Sequence, residues 1–186
     1  MRPRGAPAWQ TTDWFNTAAP ITLEQLRGRV VMLHAFQMLC PGCVQQGIPQ
    51  AQRVAEAFAG APLAVVGLHS VFEHHEAMQV ASLKAFLHEY RVGFPVGVDA
   101  PDLDGGPIPQ TMRAYAMQGT PTTILIDAEG RVRRHIFGIH DDLRLGAELQ
   151  SLLCELGDAR VATRDVDIDA RAGMCDADGC AAPSRM

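Results

Sequence analysis

The sequence predicts an α/β fold, a three-layer sandwich in which a central mixed sheet is flanked by helices. Two observations carry this. Short apolar runs rich in branched residues alternate with amphipathic segments at helical spacing, which gives parallel strands joined by crossover helices. Two late strand patterns are separated only by "AEG", a turn that makes them antiparallel neighbours. A chain of 186 residues fits a single domain. We place that domain at residues 1–156, its core at about 29–156, and an extension at 157–186, where apolar density falls.

The elements follow in order. "RVVMLHAF" (29–36) follows the Gly28 breaker and reads as a buried strand. From Pro41 to about Ala59, Val44, Ile48, Ala51, Val54, Ala55 and Phe58 share one helical face, with Pro49 expected to bend the helix. "PLAVVGLHS" (62–70) is a second buried strand, 77–92 an amphipathic helix, and "FPVGVD" (94–99) a third strand. After the Gly- and Pro-rich loop "DAPDLDGGPIPQ" comes a short helix near 110–117, with Met112 and Tyr115 facing inward. "TPTTILID" and "RVRRHIFG" form the hairpin, and a last helix runs from about Asp141 to Leu156, capped by Asp141 or Asp142. Cys154 in that helix reads as a buried apolar filler.

Composition narrows the function. Hydrophobic residues at 47% and charged residues at 20% are ordinary for a globular domain, and no apolar run is long enough to span a bilayer. A net charge of -5 offers no grip on a phosphate backbone, so neither nucleic acid nor membrane is an expected partner. The N-terminal stretch lacks the apolar segment of a secretory signal, and a cytoplasmic location is the expectation. Five cysteines, an odd number, argue for reactive or metal-binding thiols over a set of permanent disulfides.

"CPGC" (40–43) stands where the first strand gives way to a helix. A thiolate there meets unpaired backbone N–H groups and the positive end of the helix dipole, and Pro41 occupies a position where helices accept proline. Cys40 is then the attacking thiol. Cys43, nearly a turn deeper, is the resolving one, close enough to break a mixed disulfide. The alternative is half of a zinc site, which needs two more ligands, and the other close cysteine pair lies far off in the tail.

The order strand, "CPGC", helix and, much later, "GTPTTILIDAEGRV" resembles the thioredoxin-like fold. Within it, the sequence is similar to the TlpA/ResA-type thiol-disulfide oxidoreductases, grouped with the AhpC/TSA redoxins, over roughly residues 10–156. The resemblance implies a cis Pro121 facing the cysteines and Thr120 supplying backbone hydrogen bonds to a substrate. It implies that 73–99 is the family's inserted helix and strand, with Glu73 as the candidate proton-transfer glutamate. His34, six residues before Cys40, stands where thioredoxins place a buried proton acceptor, a role open to an imidazole near neutral pH. It equally suits a core histidine. Leu39 departs from the family's aromatic, and family members are commonly exported or membrane-tethered.

The expected activity is disulfide exchange through a mixed disulfide, on a protein or small-molecule disulfide or thiol, recycled by an external thiol reductant or oxidant. No cofactor or metal is implied. A peroxiredoxin-like peroxidase is the first alternative, although Gln37 replaces the threonine or serine that would hold peroxide. The others are a Sco-like metal carrier using His135 or His140, and a redox-inert binding module. "HSVFEHHE", with His69, His74 and His75, reads as a solvated loop, and the carboxylates from Asp165 lack the glycine of a calcium loop. Cys175 and Cys180 flank "DADG", whose Asp-Gly turn brings the sulfurs together. They are either a second redox pair serving Cys40 and Cys43 or two incidental thiols.

Overall fold

The structure, a computed structural model, describes residues 4–162. Seven strands form one sheet: β1 (Arg4–Gly5), β2 (Thr11–Phe15), β3 (Val30–Phe36), β4 (Leu63–His69), β5 (Val96–Asp99), β6 (Thr122–Ile126) and β7 (Arg131–Phe137). Their spatial order is β1-β7-β6-β3-β4-β5-β2. Strands β3, β4 and β5 are parallel, β6 and β7 antiparallel to their neighbours, as the spacing of helices and turn requires. The helices are α1 (Ile48–Ala57), α2 (Val80–Glu89), α3 (Gln110–Ala114) and α4 (Asp142–Ala162).

All seven residues of β3 are buried, so the strand feeds two cores. Met32 and Phe36 pack with Ile48 and Val54 of α1, Leu83 and Leu87 of α2, and Leu145 and Leu149 of α4. Val31, Leu33 and Ala35, which point the other way by the two-residue period of a strand, pack with Met112, Tyr115, Met117 and Leu23. Met112 and Tyr115 thus face inward. The hairpin turns at Asp127–Gly130, where Gly130 takes φ +74° and Asp127 Oδ1 accepts the N–H groups of Glu129 and Arg131. Asp141 Oδ1 accepts the Arg144 N–H at 3.0 Å and caps α4.

Two segments take a form that the spacing left open, and two expectations, for Cys154 and His69, need correction. The chain before residue 29 adds edge strands: β1 pairs with β7 and β2 with β5, and Trp9 Nε1 donates to the Tyr115 hydroxyl at 3.2 Å. These short strands carry little periodicity and take their shape from the sheet edges they cover. Helical residues run without a break from 41 to 57, and the stretch Cys43–Gly47 is π-helical, a wider turn just before Pro49, whose ring and missing N–H do not fit a regular α-helical ladder. Cys154 is exposed, because the inward residues of α4 are Leu145, Leu149 and Leu152 and Cys154 lies off that stripe. His69 belongs to the end of β4 and is buried, whereas His74 and His75 are exposed.

No helix among the described residues is long and apolar enough to cross a membrane. Cys175, Cys180 and the acidic stretch from Asp165 lie outside the described residues.

Candidate active site

Antiparallel pairing of β3 with β6, with Ala35 opposite Thr122, brings the residues after β3 against the residues before β6. Two segments about eighty positions apart in sequence thus meet at one end of the sheet. Cys40 caps the helix that opens at Pro41, and its carbonyl accepts the Val44 N–H at 3.0 Å. The Cys43 N–H donates to Cys40 Sγ at 3.3 Å, the contact that an N-terminal helix amide offers to a sulfur carrying charge. The Cys40 thiol donates in turn to the Thr120 carbonyl at 3.4 Å. The Thr120–Pro121 peptide bond is cis. A methyl group on Gly42 would sit 3.4 Å from Pro121 Cδ, so the helix start packs against the proline ring.

Both cysteines are free thiols, with Cys40 half-buried and Cys43 fully buried. Burial pushes the Cys43 thiol up to about 12, and its hydrogen bond with Cys40 adds to the rise. Cys43 is therefore held in its protonated form at neutral pH.

His34 lies deeper. Its Nδ1 is 3.2 Å from Thr123 Oγ1, and its Nε2 is buried without a partner among the described residues. Burial lowers its pKa to about 4, so the ring is neutral. It packs beneath Gly47, where an added Cβ would meet the ring Cε1 and Nε2 at 2.7 Å. Glu73 is exposed, with Oε1 3.5 Å from Gln37 Nε2.

Gln37 is the residue whose positive role sequence reasoning missed. It is buried at 1% exposure, and its Nε2 also donates to Thr120 Oγ1 at 3.4 Å while its Oε1 accepts the Phe72 N–H at 3.4 Å. One amide side chain thus joins the loop before Cys40, the loop after β4 and the turn at Pro121. The signal was present: a polar residue between Phe36 and Met38, at the end of a buried run, must find partners.

The histidines considered as metal ligands do not join this cluster. His135 is exposed on β7, and His140 Nε2 is 3.2 Å from Glu148 Oε2. Among the described residues no three His, Cys, Asp or Glu side chains gather as a metal would need. A cavity of about 960 Å³ lined by Leu26, Phe58 and Phe94 contains neither cysteine. Cys40 lies outside that cavity, partly exposed at the surface.

Comparison with known proteins bears on this geometry. The AhpC/TSA family model matches residues 4–135. A crystal structure of a thioredoxin-like superfamily protein is 57% identical, with TM-score 0.78, covering 81% of this chain and 96% of that one. A thiol-disulfide isomerase from Corynebacterium glutamicum is 47% identical, with TM-score 0.75, covering 80% and 96%. Protein DipZ of Mycobacterium tuberculosis and of Mycobacterium bovis is 32% identical over 134 residues, which is 70% of this chain. The chain spans only 18% of the length of those curated relatives. By the family model and the two solved relatives matched almost end to end, the chain belongs to the AhpC/TSA family, among its thioredoxin-like thiol-disulfide oxidoreductases.

Proposed function

We propose that the protein exchanges disulfides through Cys40 and Cys43. Cys40 attacks one sulfur of a substrate disulfide and forms a mixed disulfide, and the other substrate sulfur leaves as a thiolate. Cys43, after losing its proton, attacks Cys40 Sγ, releases the second substrate thiol and leaves the Cys40–Cys43 disulfide. An external dithiol restores the reduced pair, and every step runs in reverse when the partner is the more oxidising couple.

The observation that carries this reading is the Cys43 N–H directed at Cys40 Sγ, beside a Thr120 carbonyl 3.4 Å from the same sulfur. Thr120 and Pro121 position the incoming substrate strand. The neutral His34 ring under the helix and Glu73, reached through Gln37, are the groups proposed to move the Cys43 proton. The substrate is a protein or small-molecule disulfide, and the recycling partner a thiol couple.

Reduction of insulin disulfides with dithiothreitol as the electron source tests it. Cys40→Ser should abolish the acceleration, and Cys43→Ser should leave a covalent adduct on Cys40 with turnover reduced by tenfold or more. Equal activity of Cys40→Ser and the native chain would overturn the proposal.

A further inference from the structure

Exposed apolar side chains stand at the end of the molecule that holds Cys40. Leu39 precedes it and is 58% exposed. Phe137 pairs with Thr122 and packs against Gly119, and the Gly138 N–H donates to the Pro121 carbonyl at 2.8 Å, which fixes this segment beside the proline turn. Ile139 and Leu143 continue it, both exposed. Gln50 Nε2 ties the His140 carbonyl and Asp142 Oδ1 to α1 at 2.6 Å each, so the start of α4 lies at the same end of the molecule as Cys40. These apolar groups share one end of the molecule with Cys40, the one sulfur of the pair that reaches the surface.

The occupant follows from where the chain goes next. Helix α4 runs from that end toward the Asp127–Gly130 turn, where Glu155 receives Arg133. Its 21 residues span about 30 Å at 1.5 Å per residue. Cys175 is the thirteenth residue after Ala162, the last described residue of α4. Thirteen residues reach at most roughly 43–47 Å. The chain can therefore return the length of α4 and place Cys175 at Cys40. The pair is bordered by Met174, Ala181, Ala182 and Pro183, apolar or small residues suited to an apolar rim.

We infer that the Cys175–Cys180 pair of this same chain docks on the rim formed by Leu39, Phe137, Ile139 and Leu143 and exchanges its disulfide with Cys40. This deepens the proposed function and rests on it, since Cys40 is the attacking thiol in both. The Cys40 thiolate attacks one sulfur of a Cys175–Cys180 disulfide, and the other tail sulfur leaves as a thiolate and takes up a proton. Cys43 then gives up its proton and attacks Cys40. The products are a Cys40–Cys43 disulfide and a tail dithiol. Two electrons have moved from the helix pair to the tail pair, and the reverse sequence lets a reduced tail regenerate Cys40 and Cys43. The tail becomes a second redox couple that carries electrons between the active site and the external thiol partner.

The full-length Cys43→Ser chain, oxidised and equilibrated in a glutathione redox buffer, keeps any partner of Cys40 attached. Digestion without reduction and mass spectrometry then read that partner. The expected product links the Cys40 peptide to the peptide holding Cys175 and Cys180, in a fraction at least threefold above the glutathione adduct. That fraction should not change over a tenfold range of protein concentration. Cys40 found only as its glutathione adduct overturns the tail relay and leaves the proposed function standing. A linkage whose fraction rises with protein concentration overturns the same-chain assignment. Absence of any adduct on Cys40 overturns both readings.

Discussion

Gly47 shows how a single absent methyl group shapes the site. Alanine at a helical position normally stabilises a helix by about 1 kcal/mol over glycine. Here the added Cβ would press on the His34 ring at 2.7 Å and on Pro121 Cβ at 3.2 Å, both held by buried surroundings. Overpacking of that kind costs about 1–3 kcal/mol, so the clash outweighs the propensity gain. Gly47→Ala should therefore lower the urea midpoint, and adding His34→Ala should recover most of that loss in a double-mutant cycle. A stabilising Gly47→Ala would show that the ring moves aside freely.

Among the elements, the junction between sheet ends matters more than any single helix. Strands β3, β4 and β6 finish or begin at the same end, and the loops there have no ladder to hold them; Gln37 supplies the cross-link. Gln37→Leu keeps the volume and removes both donor and acceptor. It leaves the Phe72 N–H and the Thr120 hydroxyl without this partner, at about 1–3 kcal/mol of stability for a buried unmet group. Hydrogen exchange should show the loop after β4 and the Pro121 turn losing protection while the middle of β3 keeps it. Unchanged exchange in both loops would remove Gln37 from this role. The long distances, 3.4 to 3.5 Å, place the expected loss toward the lower end of that range.

The whole molecule should lose stability on mild acidification. Burial lowers the pKa of His34 and of His69 from 6.5 to about 4, and Phe36 lies between them, its ring centroid 6.4 Å and 5.4 Å from theirs. The unfolded chain binds these protons first, so the contribution is fully present above about pH 6.5 and is lost as pH falls toward about 4. A shift of this size is worth up to roughly 3 kcal/mol for each ring, a large part of a typical domain's stability of about 5–15 kcal/mol. Asp99 works the other way, since burial raises its pKa, while hydrogen bonds from Thr111, Ser70 and Met112 limit that rise. Denaturation midpoints should be flat from pH 7 to 8 and fall between pH 6.5 and 4.5, and His69→Leu should flatten the fall. A midpoint constant across that window would mean that neither ring is held neutral by the fold.

Most of the architecture was legible because β3, β4, β6 and the helices announce their buried faces through spacing, and a proline and a glycine between two cysteines announce a helix start. The edge strands were not, because two to five residues at a sheet border take their conformation from the strand they pair with. Glu73 and His34 could be nominated by position alone. What the amino-acid order determined by itself was the alternation of strand and helix and the placing of Cys40 at a helix N-terminus, since both depend on neighbours a few residues apart. Only the tertiary structure decided that Thr120 reaches the Cys40 sulfur, that Gln37 joins three loops and that two histidines lie neutral beside Phe36. Those facts arise from strand pairing and burial, which bring together residues tens of positions apart and strip them of water, and no local pattern encodes that.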